Sequence, residues 1–204
     1  TDSAAVRAQR KGILQLVTLN HPVDCGICDK AGECTLQDYH YAYNGTPSIS
    51  HEPKVRSTKH HELSQRIVLD NERCILCSRC VRFTHEISKS CALGIKHRGD
   101  ESLVRASEDG AFDRDPYSDN VIDLCPVGAL TSQEYRFRSR PWDLVRPTDS
   151  VCPLCSNGCN VVLDVRHGQR GEELLRIRPR ENPAVNRWWM CDEGRFTFTY
   201  LSDP

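Results

Sequence analysis

The sequence has no apolar run approaching the roughly eighteen residues that a membrane-spanning helix needs. Its longest apolar stretches, such as 67–69 and 161–163, are a few residues each. No transmembrane segment is encoded, and no direct membrane insertion is expected. Net charge is also missing, because 27 Lys and Arg face 28 Asp and Glu. A chain at −1 has no field to attract nucleic acid or an anionic bilayer, so no nucleic-acid partner is expected. Residues 1–11 are polar and mixed in charge, with no signal-peptide core to support an oxidising compartment. The chain begins at Thr1 and reads as a fragment or processed product. Aromatics make up 7% and hydrophobics 38%, and mean hydropathy is −0.55. That is lean for 204 residues burying a core from side chains alone, so something besides apolar burial is expected to hold the chain together. No solenoid repeat is present.

Cysteine, by contrast, is abundant: twelve in 204 residues, far above what a cytosolic protein carries without a reason. Eleven fall into three groups. The first is His21-x3-Cys25-x2-Cys28-x5-Cys34, with Pro22, Gly26 and Gly32 available to bend the backbone. The second is Cys74-x2-Cys77-x2-Cys80 with a remote Cys125-Pro126, and the third is Cys152-x2-Cys155-x3-Cys159 with a remote Cys191. Cysteines this close in one loop cannot all pair as disulfides at acceptable geometry. Zinc competes better, since it also takes four cysteines, or three with a histidine. Yet zinc sites usually join two separated pairs, whereas three ligands from one loop and a fourth from afar suit a cubane cluster. The second group also departs from a two-cubane ferredoxin: Thr84 stands where the first run would carry its fourth cysteine, leaving ligands for one cubane. His21 completes a first set that has only three cysteines. As a neutral donor it makes a cluster less negative and easier to reduce. Cys91 is left over and reads as a free, partly buried thiol.

Around these groups the pattern predicts a helix over 3–19, a cysteine-bearing loop to Cys34, and a helical face of Leu36, Tyr39 and Tyr43 closed by Asn44-Gly45. A polar connector over 51–65 precedes a strand at 66–70, a tight loop at 74–80 and a helix at 81–87. Short strands are expected at 94–97, 102–106, 160–166 and 173–178, a surface loop at 108–120 and a boundary near 136–148. Trp188, Trp189 and Phe196 read as packing that shields Cys191 from water. Arg176, Arg178, Arg180, Arg187 and Arg195 read as a solvated or interface face.

The runs His21-Pro-Val-Asp-Cys25-Gly-Ile-Cys28-Asp-Lys-Ala-Gly-Glu-Cys34-Thr-Leu-Gln, Arg73-Cys74-Ile-Leu-Cys77-Ser-Arg-Cys80-Val-Arg-Phe and Cys125-Pro-Val-Gly-Ala-Leu130 closely resemble the large iron-sulfur subunit of respiratory complex I. The resemblance covers nearly the whole chain. It implies one 4Fe-4S cluster on His21, Cys25, Cys28 and Cys34 and an all-cysteine 4Fe-4S cluster on Cys74, Cys77, Cys80 and Cys125. The third motif resembles the iron-sulfur segment at the head of molybdopterin oxidoreductases, which implies a further 4Fe-4S cluster on Cys152, Cys155, Cys159 and Cys191 and a bacterial source. Active molybdenum enzymes of that type often carry a lysine in C-x-K-G; Cys191-Asp-Glu193-Gly194 has an acid there, so no molybdopterin is expected in this chain.

The fold class that follows is α+β. It comprises small irregular iron-sulfur modules with short helices and strands: a helical one-His-three-Cys module at 1–50, a ferredoxin-like single-cubane domain at 66–140 and a molybdopterin-oxidoreductase-type segment at 148–204. The implied role is electron relay in NADH-quinone oxidoreductase, with no substrate site in this chain. The implied partners are the flavin-bearing, NADH-binding subunit and the quinone-module iron-sulfur subunits, on the cytoplasmic face of the inner membrane. The family's N-terminal 2Fe-2S domain and C-terminal molybdopterin-type body are not among these residues. Alternatives are the matching segment of an NAD-linked formate dehydrogenase or hydrogenase and, from another class, a zinc-stabilised structural module.

Overall fold

The computed structural model describes residues 2–169 and 171–202. In chain order the elements are α1 (Ala4–Val17), α2 (Thr35–Tyr39), β1 (His61–Glu62), β2 (Ile67–Leu69), α3 (Arg79–Glu86), β3 (Leu93–Lys96), β4 (Leu103–Ala106), α4 (Asn120–Leu124), β5 (Leu130–Ser132), β6 (Thr148–Val151), β7 (Asn160–Gly168), β8 (Gly171–Pro179) and α5 (Asp192–Phe196). The α+β class of short elements expected from sequence is what the chain forms.

Helix α1 starts at Ser3, whose Oγ accepts the Val6 N–H at 3.4 Å, and it turns Leu14 and Val17 inward. Helix α2 runs on through a π-helical turn, His40–Asn44, and stops at Gly45, which takes the left-handed conformation (φ 56°). Leu36 and Tyr43 reach the core, while Tyr39 stays half exposed.

The apolar triplet of β2 forms the middle of an antiparallel sheet ordered β1-β2-β5, with Leu69 opposite Leu130 and Ile67 opposite Ser132. All three residues are buried on both faces, which is why the run reads as continuously apolar rather than alternating. Phe83 of α3, Leu93 and Val104 of the β3-β4 hairpin, and Phe112 pack with Leu14 and Leu36 into one core. The connector over 51–65 is less idle than its composition implies, since β1 lies within it and pairs with β2. Nor is 108–120 a surface loop: Phe112, Asp115, Ser118, Asp119 and Asn120 are all buried. Its polar side chains can be buried because they are hydrogen-bonded, Asp115 for instance accepting from Ser88 and Ser90 at 2.6 Å each.

The third sheet is an antiparallel β6-β7-β8 meander whose inner face carries Val161 and Ile177 against Met190 and Phe198. Here the structure corrects the reading of the arginines. Asp164 of β7 is fully buried and accepts from Arg176 at 2.5 Å and from Arg178 at 2.6 and 2.9 Å. Arg176 also pairs with Glu33 beyond α1 and stacks 4.3 Å over Tyr135, while Arg195 is buried against Asp123 at 2.5 Å. These cations turn inward to carboxylates, of which Asp164 is fully buried.

Burial works to raise the Asp164 carboxyl, but its bonds to Arg178 and Arg176 outweigh this and hold it below the ordinary carboxylate range. A depressed folded-state value means stabilisation that is present above the unfolded value and lost as pH falls through the folded one. Asp164→Ala would leave the Arg178 guanidinium without its carboxylate and Arg176 with Glu33 alone, at a cost of about 3 kcal/mol near neutral pH. A fall in the thermal midpoint of roughly 5–10 °C, shrinking in acid, is the expected calorimetric result.

Candidate functional site

The first candidate set lies on the loop between α1 and α2. A short 3-10 turn, Cys25–Ile27, carries Cys25 on the surface and delivers Cys28 inward, and Arg140 braces that turn by donating to the Gly26 carbonyl at 2.9 Å and to the Cys28 carbonyl. Cys34 caps α2, its Sγ accepting the Gln37 N–H at 3.4 Å. The Thr35 N–H donates at 3.1 Å to the carbonyl of Pro126, fastening this loop to the residue after Cys125. Burial raises the Cys28 and Cys34 thiols, and Arg73 opposes the shift at Cys28. Gly128 has no room for a side chain, since a Cβ there would collide with Cys28 Sγ.

His21 has Asp24, the residue before Cys25, and Arg73 as charged neighbours. Its ring borders a cleft that also exposes Asn71 and Cys74. Burial lowers its pKa, leaving the neutral imidazole that a metal requires, and its Nδ1 is buried with no hydrogen-bond partner.

The second set is brought together. Cys74, Cys77, Cys80 and Cys125 line one small pocket with Leu69, Val104, Val127 and Leu130. The loop between them takes the left-handed conformation at two non-glycine residues, Leu76 (φ 52°) and Ser78 (φ 58°). Alternating handedness of this kind turns successive N–H groups to one side and makes a nest for an anion. One of those groups, Leu76 N–H, donates to Cys74 Sγ at 3.4 Å. Burial pushes Cys74 up to about 11 and Cys80 up to about 12. Such thiols ionise only where a cationic centre balances them.

The third set is split by its loop. Cys155, Cys159 and Cys191 line a cavity of about 440 Å³ with Trp189 and Met190, while Cys152 is buried behind them. Gly194 closes the gap: a Cβ there would lie 3.2 Å from Cys152 Sγ and 3.4 Å from Cys191 Sγ. Cys159 accepts from Asn157 Nδ2 at 3.0 Å, and Cys191 caps α5 by accepting the Gly194 N–H at 3.3 Å. Trp188 is exposed, whereas Trp189 packs on Phe83 with ring centroids 5.0 Å apart. The expected shielding therefore belongs to Trp189. Asn120 ties this set to the second, bonding both the carbonyl (2.8 Å) and the N–H (3.2 Å) of Met190. Beneath it, burial and neighbouring Asp192 push the Asp119 carboxyl up to about 7.

All twelve cysteines are unpaired, and Cys91 is exposed rather than partly buried. Among the described residues no three His, Cys, Asp or Glu side chains gather at a single point as a mononuclear ion would require. Sulfurs spaced around a pocket, N–H groups aimed at sulfur and an orphaned imidazole nitrogen are a donor set that fits iron-sulfur clusters. The sequence missed Gly128 and Gly194. The signal was available, because each stands three residues past a remote cysteine.

Three family models match in succession: the iron-sulfur binding region of NADH-ubiquinone oxidoreductase G at 10–47, the ferredoxin-like domain of NADH-quinone oxidoreductase subunit 3 at 64–131, and a 4Fe-4S domain of the NDSU1/NuoG-like type at 145–199. The NADH-quinone oxidoreductase G subunit of Mycobacterium bovis is 41% identical over 204 residues, all of this chain. The chain belongs to the G-subunit family of NADH-quinone oxidoreductases. The G subunit of Streptomyces coelicolor is 42% identical over 98% of the chain, and subunit 3 of Thermus thermophilus 40% identical over 96%. The match covers 24%, 23% and 26% of those three proteins, so the chain spans about a quarter of the length of the curated relatives it matches. Among solved structures, an NAD+-reducing [NiFe]-hydrogenase in the H2-reduced state matches with a TM-score of 0.58 and 28% identity, over 68% of this chain and 59% of that one. As a member of the G-subunit family the chain carries three iron-sulfur-binding segments, and among its described residues no helix is long and apolar enough to cross a membrane.

Proposed function

We propose that this chain is an electron-relay segment of an NADH-quinone oxidoreductase, carrying single electrons from a flavin-bearing, NADH-oxidising subunit toward the quinone-reducing module. Its three 4Fe-4S clusters are held by His21, Cys25, Cys28 and Cys34; by Cys74, Cys77, Cys80 and Cys125; and by Cys152, Cys155, Cys159 and Cys191. The segment sits in the peripheral arm, on the cytoplasmic face of the inner membrane, and has neither a substrate site nor a molybdopterin of its own. The observation that carries the reading is the second pocket, where four cysteines meet over a backbone nest and share a core with the helices flanking the first set.

When bound, the clusters supply reversible one-electron chemistry. The chain positions the sulfurs, directs N–H groups at Cys34, Cys74 and Cys191, and excludes water with Leu69, Val104, Phe83 and Trp189. Acid-labile sulfide and metal analysis of anaerobically purified protein tests it. Three clusters predict about twelve iron and about twelve sulfide per chain, with no molybdenum. Zinc without sulfide would replace the relay with a structural module. The likeness to the NAD+-reducing hydrogenase favours one second reading, the same relay serving a hydrogenase. Co-purification with membrane-embedded proton-pumping subunits, without nickel, separates the two.

A further inference from the structure

We propose that Arg73 is the positioning residue that sets the reduction potential of the first cluster, with Asp24 as its counter-charge. The inference rests on the reading that His21, Cys25, Cys28 and Cys34 hold that cluster. By sequence, Arg73 belongs to the second set, one residue before Cys74. Its side chain leaves that loop and is buried against the other one. Its Nε donates to Asp24 Oδ1 at 3.1 Å and its Nη2 to Asp24 Oδ2 at 2.8 Å, a two-pronged bond to the residue just before Cys25. The stem runs past the first set: Arg73 Cδ and Cys28 Sγ both border the space that a Cβ on Gly128 would enter, the former at 3.5 Å. The same guanidinium favours the anionic form of Cys28 and disfavours protonation of His21. A buried fixed cation therefore lies beside the sulfur and the imidazole of one set.

A role confined to joining two loops would not call for this placement. Lys59 already bonds Asp24 at 2.8 Å and Glu72 at 3.1 Å from the solvent side, and Asp70 lies 3.4 Å from Arg73 Nε. What Arg73 adds is charge at depth. A 4Fe-4S cluster gains one negative charge on reduction, so a fixed cation stabilises the reduced form more than the oxidised one. Asp24, the residue before Cys25, does the reverse. The opposition gives the pair a signature that loop bracing lacks: neutralising the cation and neutralising the anion must move the potential in opposite directions.

The test is an anaerobic redox titration of the assembled enzyme containing the full-length subunit, followed by EPR of the first cluster's signal. Arg73→Met is expected to lower that cluster's midpoint potential, Asp24→Asn to raise it, and Arg73→Lys to fall between Arg73→Met and the parent. The second cluster, closer to the Arg73 backbone than to its charge, is expected to move less. Should Arg73→Met fail to keep the cluster, Asp24→Asn decides alone, being nearly isosteric. An unmoved or lowered potential in Asp24→Asn, or shifts of one sign in both variants, overturns the proposal. His21→Cys in the same enzyme separates the two layers. An unchanged first-cluster spectrum there defeats the ligand reading, whereas a changed spectrum beside unmoved Arg73 and Asp24 variants defeats this inference alone.

Discussion

Substituting Cys77 with alanine is expected to strip about four iron and four sulfide from each chain and to stop electron transfer from NADH to quinone in the assembled enzyme. Cys77 lies between Leu76 and Ser78, the two residues held at positive φ, so it is the sulfur around which the nest is shaped. The side chains that share its pocket are apolar apart from Ser78, Arg79 and the three other cysteines, so nothing nearby offers a replacement soft ligand. With the cluster lost, Cys74 and Cys80 would return to neutral thiols, because burial holds both near or above 11. Metal analysis and NADH-to-quinone turnover on one preparation check it. Turnover equal to the parent's would remove the second cluster from the electron path.

The next largest effect is expected at a residue without a side chain. Gly128→Ala adds one methyl group where Cys28 Sγ already stands, with Lys30 Cβ 3.3 Å away on the other side. Neither backbone can retreat freely, since Thr35 is bonded to Pro126 at 3.1 Å and Arg140 grips the turn before Cys28. Overpacking of this kind costs about 1–3 kcal/mol even where neighbours can shift, and here the displaced atom is a candidate ligand. The first cluster's EPR signal should vanish or broaden while the second cluster's signal persists. Iron should fall from about twelve toward about eight per chain. If Gly128→Ala retains a full first-cluster signal at parental stability, the close packing of the two loops has no hold on Cys28.

The parts of this molecule that its sequence discloses are the local ones. Ile67, Val68 and Leu69 announce a strand, the 160–166 and 173–178 runs announce two more, and a cysteine triplet announces a tight loop, because each signal lies within a few residues. The α4 and β5 elements, five and three residues long, are too short to show a period. Contacts across the sets are hidden for a different reason. Arg73 and Asp24 lie 49 residues apart, and Asn120 and Met190 lie 70 apart; neither pair can be matched without the fold that joins them. Composition also misjudged charge, since Arg176, Arg178 and Arg195 look solvated until Asp164 is seen buried beside the first two and Asp123 bonded to the third. His21 is the mixed case. Ligand counting singled it out, and the structure adds an unpartnered Nδ1 on a cleft that it shares with Cys74.

The bond from Thr35 to the Pro126 carbonyl also bears on the order in which the protein is made. The ribosome releases His21, Cys25, Cys28 and Cys34 early, yet the wall they lean on, 126–128, emerges some ninety residues later. An emerging chain therefore carries these four residues before the segment they pack against exists. The packing around their loop is finished only when the second segment joins it, so the two loops complete their folding together.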